Sequence, residues 1–174
     1  MNYLEEMKNE EHQLLGYDFQ YGGGVFNSYF FQTSNKIIYE VKFKPTDYLF
    51  GEGSIFNPLT FELVIELKTT EIRPTLDKLI PFTIASIFED FFTQNAYNIV
   101  VYLYESSDSR QDARKRKFDS WYGYFKEQKY DKIEVMLSDP SGQLYFTTMI
   151  LRRDNPNRKQ ILSNFVEVMA DHNK

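Results

Sequence analysis

The residues best placed to do chemistry fall between Tyr97 and Phe125, in the stretch YNIVVYLYESSDSRQDARKRKFDSWYGYF. On a helix of 3.6 residues per turn, Phe118, Trp121, Tyr122 and Phe125 sit at i, i+3, i+4 and i+7 and form an apolar stripe. Continued backwards, that face reaches Arg114 and Gln111, so two polar groups open a surface that is otherwise aromatic. Arg110 flanks them, Lys115 borders the stripe, and Arg116 and Lys117 point elsewhere. Ser107 and Asp108 stand just ahead, where a side-chain oxygen accepts from an unpaired helix N–H, and predict a helix starting near Ser109. A helix start carries free N–H groups and the positive end of the dipole. With an inward Arg it favours an anion. The candidate ligand-binding set is therefore Ser107, Asp108, Arg110, Gln111, Arg114 and Trp121. The alternative is structural: Arg114 pairs with a carboxylate of its own fold, for which Glu89, Asp90, Glu105 and Asp108 are available.

Other chemistries are poorly supplied. With no Cys there is neither a thiol nucleophile nor a disulfide, and His12 and His172, near opposite ends, make no triad or metal cluster. Carboxylate neighbours such as Glu62 with Glu66, or Glu89 with Asp90, have the spacing of solvated faces rather than of an acid/base pair across a cleft. An enzymatic route would use Tyr102, Tyr104 or Tyr122 as the acid beside an Arg-held anion. Catalytic residues and cofactor stay unassigned, and no metal is expected. A formal net charge of -5 argues against general nucleic-acid binding, although Arg110, Arg114, Lys115, Arg116 and Lys117 could form a local basic patch. The aromatic surplus, 16 Phe, 13 Tyr and 1 Trp, falls mostly at core-facing positions and predicts a bulky aromatic core.

The elements that must position these residues read as follows. In the strand feeding the helix, Tyr97, Ile99, Val101 and Leu103 lie on one face and Val100, Tyr102 and Tyr104 on the other, so both faces want cover and the strand is central. The acidic segment 1–15 carries a weak helical stripe of Leu4, Met7, Glu11, Leu14 and Leu15 and is set apart from a single α+β domain over 16–174. Tyr17, Phe19 and Tyr21 alternate as a strand, Gly22 to Gly24 make a turn or bulge, and Val25 to Thr33 resumes it. Lys36 to Phe43 and Leu59 to Lys68 follow as strands, separated by a long irregular loop from Thr46 to Pro58, so this half is an antiparallel meander.

A strong amphipathic helix runs from about Leu76 to Gln94, with Pro81 in its first turn. Beyond the organising helix come strands over Lys132 to Ser138 and Gln143 to Arg152. A last helix opens at Asp154 or Asn155 with Pro156 at its first position, its stripe being Ile161, Leu162, Phe165, Val168 and Met169. Strand runs with helices placed between and after them predict a mixed sheet flanked by helices. The opening residues lack a signal-peptide core and no apolar run has the length of a membrane span, so the expectation is a cytoplasmic protein with no membrane partner.

Two resemblances add to this reading. The strings TIASIFEDFF at Thr83 to Phe92, VVYLYESSDSRQDARKRKFDSWY at Val100 to Tyr122 and DNP at Asp154 to Pro156 resemble an uncharacterised bacterial family of domains of unknown function. That resemblance implies no activity; its signature core marks Asp108, Arg110, Gln111, Arg114 and Trp121. The order of elements is also similar to that of the GNAT acyltransferases, which implies acyl-coenzyme A bound where central strands splay. The glycine-rich pyrophosphate loop of that family would fall at Glu71 to Leu79, where this chain reads EIRPTLDKL and has no Gly. The reading as a whole is a non-catalytic module for a protein partner or a small anionic ligand, with a diverged acyltransferase as the alternative.

Overall fold

A computed structural model describes residues 16–47, 49–69, 71–104, 111–124, 129–138, 141 and 144–171; the side chains of Gln111, Arg114, Val135 to Ser138, Leu144, Tyr145, Met169 and Asp171 are outside that description. The described elements are strands β1 Phe19–Gly23, β2 Ser28–Gln32, β3 Ile38–Pro45, β4 Thr60–Leu67, β5 Ile99–Tyr104, β6 Tyr130–Ser138 and β7 Leu144–Arg152, with helices α1 Leu79–Gln94, α2 Gln111–Tyr122 and α3 Arg158–Asp171. They build one open seven-stranded sheet in the order β1-β2-β3-β4-β5-β7-β6. The expected α+β class, meander and mixed sheet are all present. β1 to β4 are successive antiparallel neighbours, β4 and β5 run parallel, and β7 lies antiparallel between β5 and β6. The expected N-terminal stripe of Leu4 to Leu15 lies outside the described residues.

Alternation decides which face each strand buries. Tyr29, Val41, Phe43, Leu63, Val100 and Ile150 point to the face covered by α1 and α2, whose Ile84, Ile87, Phe88, Phe91, Phe92 and Phe118 complete the larger core. Ile99, Val101, Met149 and Leu151 point the other way, onto Ile161 and Phe165 of α3. β5 is thus covered on both sides, as its doubly apolar sequence requires. The long loop after β3 is less irregular than its composition suggests. Leu49, Phe50 and Phe56 are buried in the second core, and Asn57–Leu59 form a 3-10 turn.

Several boundaries differ from the sequence expectation: β2 and β3 open at Ser28 and Ile38 rather than at Val25 and Lys36, and α3 opens at Arg158, beyond Pro156. α1 starts at Leu79 rather than near Leu76, because the Asp77 carboxylate accepts the Leu79 N–H (2.9 Å) and caps the helix there, with Pro81 still inside its first turn. The first strand begins at Phe19, since the Tyr17 N–H donates to the Thr83 hydroxyl (2.8 Å) instead of to a neighbouring strand. Leu67, at the far end of β4, is 37% exposed. The Gly-rich turn does contain a bulge: the β1–β2 register shifts between Tyr21 and Gly23, and Gly23 and Gly24 take φ of 65° and 73°, which only Gly adopts without strain.

The parallel contact is short. β4 and β5 pair only through Thr60 with Ile99, Phe61 with Val100 and Glu62 with Val101. Beyond these, β4 continues against β3 as far as Leu67 and β5 against β7 as far as Tyr104, so the two central strands part company towards their C-terminal ends.

Candidate functional site

A cavity of about 530 Å³ opens beside the first turn of α1, within the range of small-molecule sites. Three sequence-distant pieces line it and leave it open to solvent on one side: Tyr39 from β3, the run Pro74 to Lys78 with Ile80 and Pro81, and Lys117, Ser120 and Trp121 of α2 with Tyr124 just beyond it. The helical spacing puts Lys117 and Trp121 four residues apart on one face. The Lys117 ammonium stands 4.9 Å from the centroid of the Trp121 ring, and Trp121 itself is buried. Desolvation lowers the Lys117 pKa only in direction, since the residue as a whole is exposed.

The walls are held by aromatic and polar contacts. Tyr17 stacks on Phe31 and Phe31 on Tyr39, at 6.3 and 5.1 Å between centroids, and Phe82 of α1 packs edge-on against Tyr124 at 4.3 Å. The Tyr17 hydroxyl donates to Asp77 (2.6 Å), whose other oxygen caps α1, so the one carboxylate lining the cavity among the described residues is already engaged from two sides. Burial, with the Asp77 charge behind it, raises the Tyr39 pKa and keeps that phenol neutral. Leu76, 97% exposed, sits on the rim.

The rest of the basic run behaves differently. Lys115 forms ion pairs with Asp119 (2.7 Å) and Glu134 (3.0 Å), and Lys132 bridges the same two carboxylates. Burial opposes ionisation of Asp119, but the hydrogen bonds from Lys115 and Lys132 outweigh it and hold its pKa below the usual range. Lys42, Lys44, Lys68 and Lys129 also face carboxylates. Lys117 and Lys78, the two lysines of the cavity, have no carboxylate within salt-bridge distance among the described residues.

Of the residues singled out from sequence, Trp121 is in the cavity wall. Ser107, Asp108 and Arg110, and the side chains of Gln111 and Arg114, lie outside the described residues. Among the carboxylates offered to Arg114, Asp90 accepts from Tyr29 (2.7 Å) and Gln94, while Glu89 accepts from Lys129 and Tyr130 (2.8 Å). The stripe is as expected where described: Phe118 and Trp121 are buried and Tyr122 is partly so. Lys117 is the correction. It does not point away from the site, because the i to i+4 relation to Trp121 draws it over the ring; that spacing was the available signal. No cluster of three or more His, Asp or Glu suited to a metal occurs among the described residues, and no described helix is long and apolar enough to cross a membrane.

Sheet order and cavity together define an open-sheet α+β domain with an aromatic, lysine-edged pocket at the start of its first described helix. The chain belongs to the family of unknown function DUF6169, whose model matches residues 76–167. That span holds α1, β5, α2, β6 and β7, most of α3, and the cavity lining from Leu76 onwards. Comparison with curated proteins and with solved structures finds no match.

Proposed function

We propose that this domain is a non-catalytic binding module for a small anionic ligand with an apolar body, taken up in the cavity between α1 and α2. One observation carries the reading: two lysines without carboxylate partners among the described residues edge a largely apolar cavity walled by Trp121 and Tyr124. Such a pocket pairs an anion with a cation while the ligand's body replaces water on the aromatic walls. Asp77, already engaged by Tyr17 and the helix start, leaves the lysines to the ligand. A thermal-shift screen with benzoate, octanoate, AMP and phosphate tests the reading. A ligand held about a hundredfold above its Kd stabilises the native state by about 2.7 kcal/mol. The shift is expected in the wild type and lost in Lys117→Ala; equal shifts in both would move the ligand elsewhere, and a wild type that responds to none of the probes would shift the case to a protein partner.

A second reading, a diverged acyltransferase using acyl-coenzyme A, has one observation in its favour: the parallel β4–β5 pair separates after three paired positions, which leaves a wedge at the centre of the sheet. The stretch EIRPTLDKL ahead of α1 still lacks the glycines that let a backbone approach a pyrophosphate. A saturable melting shift with acetyl-coenzyme A that survives Lys117→Ala would favour this reading over the first.

A further inference from the structure

The chain reaches the cavity wall as soon as its described part begins. Gly16 runs so close to α1 that a Cβ there would come within 2.8 Å of the Thr83 backbone nitrogen, and the Tyr17 N–H donates to the Thr83 hydroxyl (2.8 Å). The Tyr17 side chain then reaches Asp77, a lining residue (2.6 Å). Residues 1–15, which lie outside the described residues, are thus joined to the fold about one helical turn from Ile80, another lining residue. At no more than about 3.6 Å per residue, Glu10 and Glu11 stay within about 22 Å of that point.

The segment carries the chemistry that the cavity selects. Glu5, Glu6, Glu10 and Glu11 stand there against one lysine, Lys8, while Lys78 and Lys117 edge the cavity without carboxylate partners among the described residues. At helical spacing Glu11 shares a stripe with Leu14 and Leu15, which sets a carboxylate beside two apolar side chains. The open side of the cavity is rimmed by matching surface, for Leu76 is 97% and Tyr124 44% exposed. A short tether presents its end at an effective concentration on the order of millimolar, so weak contacts suffice to hold it.

We propose that segment 1–15 is the cavity's own occupant: Leu14 and Leu15 lie against the apolar rim, Glu11 with Glu10 beside it faces Lys78 and Lys117, and a small anion enters by displacing them. The inference rests on the reading of the cavity as an anion site and adds the regulation of that site. A docked segment that leaves about a tenth of the cavities open weakens the apparent affinity for a ligand about tenfold.

The first test uses the wild-type chain. A water-soluble carbodiimide joins a carboxylate to an amine in direct contact, without a spacer, and the monomeric product is mapped by peptide mass spectrometry. Links from Glu10 or Glu11 to Lys117 or Lys78 are expected as the main long-range product from the segment. Lys36 and Lys159, exposed and without ion pairs among the described residues, serve as references. Links to the references at the same yield, no link to the cavity lysines, or such links in a dimer alone would overturn the proposal. In a second measurement, Glu10→Gln with Glu11→Gln should tighten the benzoate Kd read from Trp121 emission about tenfold. Glu5→Gln with Glu6→Gln changes the net charge equally from farther along the chain and should leave that Kd near the wild-type value; equal tightening in both variants would reduce the effect to bulk charge and sink the docking. Failure of the anion reading looks different. Links to the cavity lysines without a thermal shift from any probe would strike that reading and leave the docking standing, whereas a benzoate shift without those links would sink the docking alone.

Discussion

Phe43 and Phe91 lie face to face with centroids 3.8 Å apart, and Phe88 and Phe61 meet them edge-on, so this ring cluster fastens α1 to β3 and β4. Both rings of the stacked pair are buried. Phe91→Ala removes a buried ring and leaves a cavity among neighbours that are themselves stiff, and should cost about 3–5 kcal/mol, read as a lower midpoint in urea unfolding. Lys117→Ala, by contrast, removes an exposed cation with no ion pair among the described residues, and should leave the midpoint almost unchanged while abolishing the ligand shift. A residue that is dispensable to the fold yet required for binding is what separates a site from a structural contact. Arg114→Ala asks the same question of the residue that the sequence singles out: loss of stability alone would make it a structural ion pair.

At the scale of elements, α3 is fixed by its start. Asn155, buried, accepts the Asn157 N–H (2.9 Å) and donates from its amide to the Tyr97 carbonyl (3.3 Å), so one side chain caps the helix and ties it to the entry of β5. Asn155→Ala should cost about 1 kcal/mol for the cap, visible in the same unfolding measurement. This cap was legible in advance because Asp-Asn-Pro is a local signal, and local signals also placed Ile84, Ile87, Phe88 and Phe91 on one side of α1 and gave β5 two apolar faces. The cavity was not legible, since it exists only where β3, the Pro74 to Lys78 run, α1 and α2 converge, and no single window of sequence holds all of them. Lys117 was misplaced for a related reason. A run of four basic residues reads as a solvated face until the fold assigns Lys115 to Asp119 and Glu134 and leaves Lys117 to Trp121.

Across the whole molecule, ionisation is bound up with folding at both ends of the pH scale. The hydrogen bond from Lys42 holds Glu66 below its ordinary range, the one from Arg158 does so for Asp131, and the one from Arg152 for Asp154. For such groups the unfolded chain takes up protons first on acidification. Their contribution is therefore complete above the unfolded carboxylate pKa of about 4 and is lost as pH falls through the lower folded values. Burial raises the phenols of Tyr29, Tyr104 and Tyr130, the first and last also through hydrogen bonds to Asp90 and Glu89. Their contribution is complete below the unfolded tyrosine pKa of about 10 and fades as pH rises beyond it. The melting temperature should accordingly be flat near neutrality and fall on both sides; a melting temperature that rises on acidification below about pH 4 would contradict the assigned pairs.

The most direct test of the cavity as the binding site uses its own reporter. Trp121 is the single tryptophan of the chain and stands in the cavity wall under Lys117, so its emission reports on that cavity alone. Titration with benzoate or octanoate should change the emission saturably in the wild type, with the same Kd as the thermal shift, and leave it unchanged in Lys117→Ala. A thermal shift without any change in Trp121 emission, or a titration unaltered by Lys117→Ala, would contradict the account.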